Sequence, residues 1–222
     1  MGKSRWCNRP DQEKCESGMK TGKYNMSFTT GGLFHQESVK IAALYFETGD
    51  WDKVRHEVME KNILQVRTLS SSKRICREIC FRLRTLHPSE LKLLISGASQ
   101  EQAYLLWLAV CRHYRFIRDF AIEVIRERFL TLRRDLNNED YDAFFNAKAH
   151  WHQELEKITP ATHKKLRQVL FRILREADLV AADNTINAAM LTPRLVNVIG
   201  GHAYQDFSVF PVAESELKEL VR

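Results

Sequence analysis

Apolar residues recur three and four positions apart through most of this chain, a spacing that puts them on one side of an α-helix and predicts an all-α, compact multi-helix globular fold. The clearest case is SSSKRICREICFRLRTL, residues 70–86. At about 100° per residue, Ile75, Cys76, Ile79, Leu83 and Leu86 share one stripe, and Lys73, Arg74, Arg77 and Arg84 share the opposite face. Ser70, Ser71 or Ser72 is the expected cap, because a serine hydroxyl accepts from a first-turn N–H that has no partner within the helix. The design repeats in ITPATHKKLRQVLFRILREADLV, residues 158–180. There Thr159 is the expected cap and Pro160 takes the first helical position, where its missing N–H is not needed. Leu166, Val169, Leu170, Ile173, Leu174 and Ala177 line the apolar arc, whereas Lys164, Lys165, Arg172 and Arg175 line the polar one. Phe171 falls on the polar side of that count.

The other periodic stretches fill in the architecture. Helices are expected over Glu37–Phe46, stopped near Gly49, over Trp51–Lys61 with Asp50 as cap, and over Ser89–Ser96. Ser99 opens the longest helix or helix pair. Its first half, with Leu105, Leu106, Trp107, Leu108 and Val110, is apolar nearly all round and belongs at the centre of the fold. Glu139–Trp151 is expected to turn Tyr141, Phe144, Phe145 and Trp151 inward, LTPRLVNVI to form a short helix, and Glu214–Arg222 a terminal one. The segment NMSFTTGGLF, residues 25–34, reads as an extended or turn stretch pinned by Phe28, Leu33 and Phe34, with Gly31 and Gly32 supplying unusual backbone angles. Four regions result: a tail over 1–23 expected to be disordered, a helix-turn-helix-like region over 24–98, core helices over 99–157, and a basic helix with a second helix-turn-helix-like unit over 158–222. Met19 and Met26 stand as alternative starts.

Charge sharpens this picture. The 222 residues carry a net charge of +6, and 44% of them are hydrophobic, enough for a proper core. Between Leu64 and Leu86 there are six Lys or Arg against one acid, Glu78, and Pro160–Arg175 holds five with no acid. Asp135–Lys157 and Glu176–Arg222 each sum to −4, so opposite signs are segregated along the chain. Five cysteines without paired CxxC spacing point to a reduced protein in which Cys76 and Cys80 act as small buried hydrophobes. The first twenty residues contain no apolar signal core, and the longest apolar run, Ala103–Cys111, is far short of the about twenty residues a membrane span needs. A cytoplasmic, non-membrane protein is expected, and a monomer.

The three helices between Glu37 and Leu86, read as joined by tight connections, form a helix-turn-helix pattern. In such a unit the last helix enters the major groove by its N-terminal end, which would bring Ser70, Ser71, Ser72, Lys73, Arg74 and Arg77 to duplex DNA, with Arg84 further along. Lys164, Lys165, Arg167 and Arg172 would form the second contact. The plainer alternative for both helices is a basic face that only meets solvent. Catalysis finds no support: Gly31 and Gly32 are followed by no GK[ST], no Ser/His/Asp or two-metal carboxylate set has the right spacing, and His150 and His152 at i and i+2 are poor joint metal ligands. No enzyme activity, cofactor or metal is expected.

Taken together, NMSFTTGGLF, RTLSSSKRICREICFRL, QAYLLWLAVCRHYRFIRDFAIEVIRERFLTLR, DAFFNAKAHWHQELEKITPATHKKLRQVLFRILREADL and LTPRLVNVI resemble the BrxA family of bacteriophage exclusion (BREX) systems, over roughly Asn25 to Ile199. The resemblance implies a small, cytoplasmic, all-helical, non-catalytic component of phage defence that works beside a methyltransferase, an ATPase and other defence proteins. Duplex-DNA binding through the two basic helices is the leading expectation. An assembly subunit that docks other BREX components is the second. RNA binding is the third, disfavoured by the lack of an aromatic stacking platform, with Phe171 the one aromatic to test.

Overall fold

Residues 22–220 are described by the computed structural model. The tail expected over 1–23 therefore lies outside the described residues, apart from Gly22 and Lys23. Twelve α-helices and no strand are present among the described residues, so the all-α reading holds.

The first three helices are α1 (His35–Thr48), α2 (Trp51–Glu60) and α3 (Leu69–Leu83). Gly49, left-handed at φ 64°, ends α1, and the Asp50 side chain accepts from the N–H groups of Asp52 and Lys53 to start α2. That connection is tight, as expected. The next one is not: residues 61–68 form an eight-residue loop with Asn62 and Gln65 at positive φ. The cap of α3 is Thr68, whose Oγ1 accepts from Ser71 N at 3.2 Å, and the three serines lie inside the helix.

Helix α4 (Pro88–Ser96) leads into α5 (Ser99–His113), and every residue from Ala103 to Cys111 is buried. Helices α1, α3 and α4 pack on α5. Trp107, at its centre, donates Nε1–H to Val209 O at 3.0 Å and ties in the 3₁₀ turn Tyr204–Val209. At the end of α5 Arg112 forms a fork with Glu90 at 2.6 and 2.8 Å and reaches Asp206 at 2.7 Å. Glu90 is fully buried, so this one guanidinium fixes α4, α5 and the 3₁₀ turn together.

Tyr114, extended, separates α5 from α6 (Arg115–Phe120), which continues through a π-helical stretch, Ala121–Arg126, into α7 (Glu127–Leu130). Helix α8 (Asn138–Ala149) buries Tyr141, Phe144 and Phe145 but ends before Trp151, which is 81% exposed. The expectation of an inward Trp151 fails because the helix period does not extend past Ala149. His152 turns inward instead, against the Tyr24 ring at 4.1 Å and the Glu154 carboxylate at 3.1 Å. After the short α9 (Gln153–Glu156), α10 (Pro160–Glu176) starts on the Thr159 hydroxyl as expected, and α10 also packs on α5. Thr192 likewise caps α11 (Pro193–Gly200), and α12 (Glu214–Leu220) closes the described chain.

The segment before α1 is a strap. Tyr24 hydroxyl donates to Asp119 at 2.6 Å, Phe28 is buried against Tyr114 and Phe116, and Gly32 O accepts from Arg82 at 2.7 Å. Leu33 N donates to the Glu176 carboxylate at 2.5 Å. The strap thus joins the C-terminal ends of α3 and α10. A Cβ on Gly32 would lie 2.3 Å from that carboxylate, and one on Gly31, at φ 69°, 1.9 Å from the Phe34 ring. Gly31 is thus held by its left-handed backbone and the Phe34 ring, and Gly32 by the seat of the Glu176 carboxylate on the strap.

Candidate nucleic-acid interface

Helix α3 has two functional faces. Its inner face holds Cys76, Ile79, Cys80 and Leu83 in the core, together with a buried ion pair, Glu78 Oε1 to Arg82 Nε at 2.8 Å. Tyr114 hydroxyl donates to the same Glu78 oxygen at 2.5 Å, and burial with this carboxylate pushes the Tyr114 phenol far up. With Glu78, Arg82, Tyr114 and Gly32 O mutually bonded, α3 cannot rotate about its axis without breaking a buried network.

The outer face carries Lys73, Arg74 and Arg77, all exposed and none in an ion pair. With Arg55 from α2, Met59 and Ser70 they line a groove of about 430 Å³. Arg55 is a residue that periodicity could not bring here, since it arrives through the packing of α2 on α3. Ser70 is exposed and Ser71 half-buried, so both belong to the edge of this face. Ser72 does not: it is only 3% exposed, on the packed side of the first turn. Arg84 lies past the end of α3, its guanidinium 5.6 Å over the Trp51 ring, away from the helix start.

Helix α10 presents its cations differently. Lys164 and Lys165 are exposed and free of ion pairs. Arg167 is half-buried and bonded to Asp142 of α8 at 2.5 Å. Arg172 pairs with Glu176 at 2.6 Å, and Arg175 bonds to Asn184 at 2.7 Å. Phe171 is only 4% exposed and cannot serve as a stacking platform, which corrects its assignment to the polar side. The Arg175 guanidinium lies 5.8 Å over the Phe171 ring, and Asn138, at the start of α8, borders the same groove. Lys164, Arg167, Gln168, Phe171 and Arg175 border a groove of about 260 Å³ with Asn138. No lining residue is common to this groove and the one beside α3.

A further cavity of about 490 Å³ lies on the other flank of Arg74 and Arg77, under the strap. Asn25, Ser27, Thr29 and Thr30 line it from the strap, and Glu78, Phe81 and His113 from α3 and α5. Burial lowers the His113 pKa from its ordinary 6.5, and Arg82 adds to the effect while Glu78 opposes it. Among the described residues no group of three or more His, Cys, Asp or Glu is placed to hold a metal ion, and no helix is long and apolar enough to cross a membrane.

Comparison with known proteins bears on this arrangement. The BrxA family model matches residues 22–202, from the strap to the end of α11. The chain is 28% identical over 178 residues to a BREX protein BrxA of Escherichia coli O9:H4 (strain HS), covering 79% of this chain and 84% of that protein. It is 26% identical over 163 residues to a BREX protein BrxA of Paramagnetospirillum magneticum, covering 73% and 82% respectively. In fold it is similar to the crystal structure of an uncharacterized protein from Magnetospirillum magneticum, with a TM-score of 0.71, 22% identity, and coverage of 86% of this chain and 98% of that one. The matched span takes in the strap, α3 and α10, and the chain belongs to the BrxA family.

Proposed function

We propose that this BREX phage-defence component is a non-catalytic, cytoplasmic DNA-binding subunit that meets duplex DNA through the N-terminal half of α3. The observation that carries the reading is the set Arg55, Lys73, Arg74 and Arg77 around one open groove, with three of the four cations free of any acid. Arg55 alone is engaged, with Asp52 on its own helix. Free, solvated cations at the start of a helix suit phosphate oxygens and release condensed counterions when they bind. Rigid support by the Glu78–Arg82–Tyr114 network places them without ordering a flexible segment at the moment of binding. The eight-residue connection before α3 departs from the short turn of the usual helix-turn-helix, so the reading rests on the groove cations and not on that motif.

Lys164 and Lys165 supply a smaller, second contact. The test is binding of the full chain to a labelled random-sequence duplex across a salt series. Affinity should fall linearly on logarithmic axes with a slope of about −0.9 for each phosphate engaged. Binding that ignores salt, or none at low salt, overturns the reading.

Trp151 favours a second role, docking other BREX components. An indole left 81% exposed beyond the end of α8 is an anchor of the kind that dominates protein interfaces. Capture of a BREX partner that survives nuclease treatment and is lost in Trp151→Ala would establish it.

A further inference from the structure

The cavity under the strap has a composition that plain duplex contact does not use. Arg74, Arg77, Glu78 and Phe81 sit at i, i+3, i+4 and i+7 and so form one stripe of α3. Along it run two cations, then a carboxylate, then an aromatic ring. The Phe81 side chain is 41% exposed, and its ring lies near parallel to that of His113, at 14° and 5.9 Å. One oxygen of Glu78 is fixed by Arg82 and Tyr114, and the residue is among those that line the cavity. Asn25, Ser27, Thr29 and Thr30 line it from the strap, with the Asn25 amide oxygen accepting from Ser27 N at 3.1 Å. The volume of about 490 Å³ falls within the range of about 300–1,000 Å³ seen for small-ligand sites.

A ligand matched to this stripe has an anion at one end and a flat aromatic group at the other, with amino hydrogens between. We propose that the strap cavity takes one nucleotide unit, its base on the Phe81–His113 rings and its phosphate on Arg74 and Arg77, either as a free nucleotide or as an unpaired nucleotide of a DNA strand. Base stacking on an exposed aromatic ring is tolerant of sequence. The Glu78 acceptor adds a preference for bases with an exocyclic amino group, and repels phosphate from the inner end. Arg74 and Arg77 border both this cavity and the groove of Arg55 and Lys73, so a strand whose paired backbone lies in the groove can turn one unpaired base under the strap. The strand-bound form rests on the duplex-binding reading. The free-nucleotide form does not.

The experiment compares three probes with the full chain: a short paired duplex, the same duplex with one bulged adenosine, and dAMP. Each is titrated against wild type, Phe81→Ala and Phe81→Tyr, with circular dichroism confirming the fold. The bulged duplex should bind about tenfold tighter than the paired one. Phe81→Ala should abolish that advantage while leaving paired-duplex affinity intact, and Phe81→Tyr should keep it. Phe81-dependent binding of dAMP without a bulge advantage assigns the free nucleotide as the source. Phe81-dependent dAMP binding with no duplex binding at all sinks the duplex reading and leaves the cavity assignment standing. Equal affinity for both duplexes with no dAMP binding overturns the proposal, as does a bulge advantage that persists in Phe81→Ala.

Discussion

Helices α3 and α10 are built to one plan in the sequence and serve different ends in the fold. Each has a threonine cap, a continuous apolar stripe and a cluster of cations with a single Glu among them. Each also contains an i,i+4 pair of Glu and Arg. In α3 that pair, Glu78–Arg82, is buried, with side-chain exposures of 11% and 4%, and the cations outside it are free. In α10 the pair Arg172–Glu176 lies at the surface, with Arg172 63% exposed, and Arg167 is taken up by Asp142 of another helix. Cation density along a sequence therefore does not measure the charge available to a partner. What matters is which acids the tertiary fold returns to each guanidinium.

The largest difference should appear in stability. Arg82→Ala leaves Glu78 buried without its cation, and removing one partner of such a pair costs about 3–5 kcal/mol. Arg172→Ala breaks an exposed pair whose worth is under about 1 kcal/mol. Urea unfolding of the two variants against wild type measures both. Equal losses would mean that the two pairs do the same job, and the contrast would collapse.

Binding should rank next. Lys73→Glu/Arg77→Glu reverses two free cations on the rigid face of α3 and should weaken duplex binding at low salt by at least about tenfold. Lys164→Glu/Lys165→Glu alters a face whose other cations are already engaged, and the expected loss is about threefold. A larger loss from the α10 variant would exchange the roles of the two helices. Asp142→Asn sharpens the point from the other side, because it releases Arg167 without adding a charge to α10. Affinity should rise about twofold if α10 touches DNA, and stay unchanged if it does not.

Local structure was legible in the sequence wherever the signal was itself local. Thr159 and Pro160 mark the start of α10, Asp50 that of α2, and the stripe of Cys76, Ile79 and Leu83 is the buried face of α3. Errors arose where one residue stood for a contact made far away. The cap of α3 is Thr68, two residues before the serines, and Ser72 falls at about 260° on the count from Lys73, inside the buried stripe. Trp151 looks like core only if the period of α8 is carried two residues past its end, and an angle count leaves out the Arg175 guanidinium that lies over the Phe171 ring. The residues lining the groove and the strap cavity that the sequence reading does not single out, Arg55, Phe81 and His113, come from three different helices. Helical spacing alone sets Phe81 beside Arg74 and Arg77, whereas Arg55 and His113 reach them only through the packing of α2 and α5 on α3.

The smallest effect separates the two helices by pH. His113 stands at the end of α5 against α3, with Phe81, Glu78 and Arg82 as its neighbours. Burial there favours the neutral imidazole and lowers the pKa below the ordinary 6.5 that the unfolded chain retains. As pH falls through 6.5, the unfolded state takes up a proton before the folded one does, so the stability that His113 contributes is full above that pH and declines below it. Thermal midpoints should thus drop between pH 7.5 and 5.5, and His113→Gln should show a shallower drop than wild type because it no longer titrates. If the two profiles run parallel, the His113 imidazole has the same pKa in the folded and unfolded chain, and its burial against α3 does not shift it.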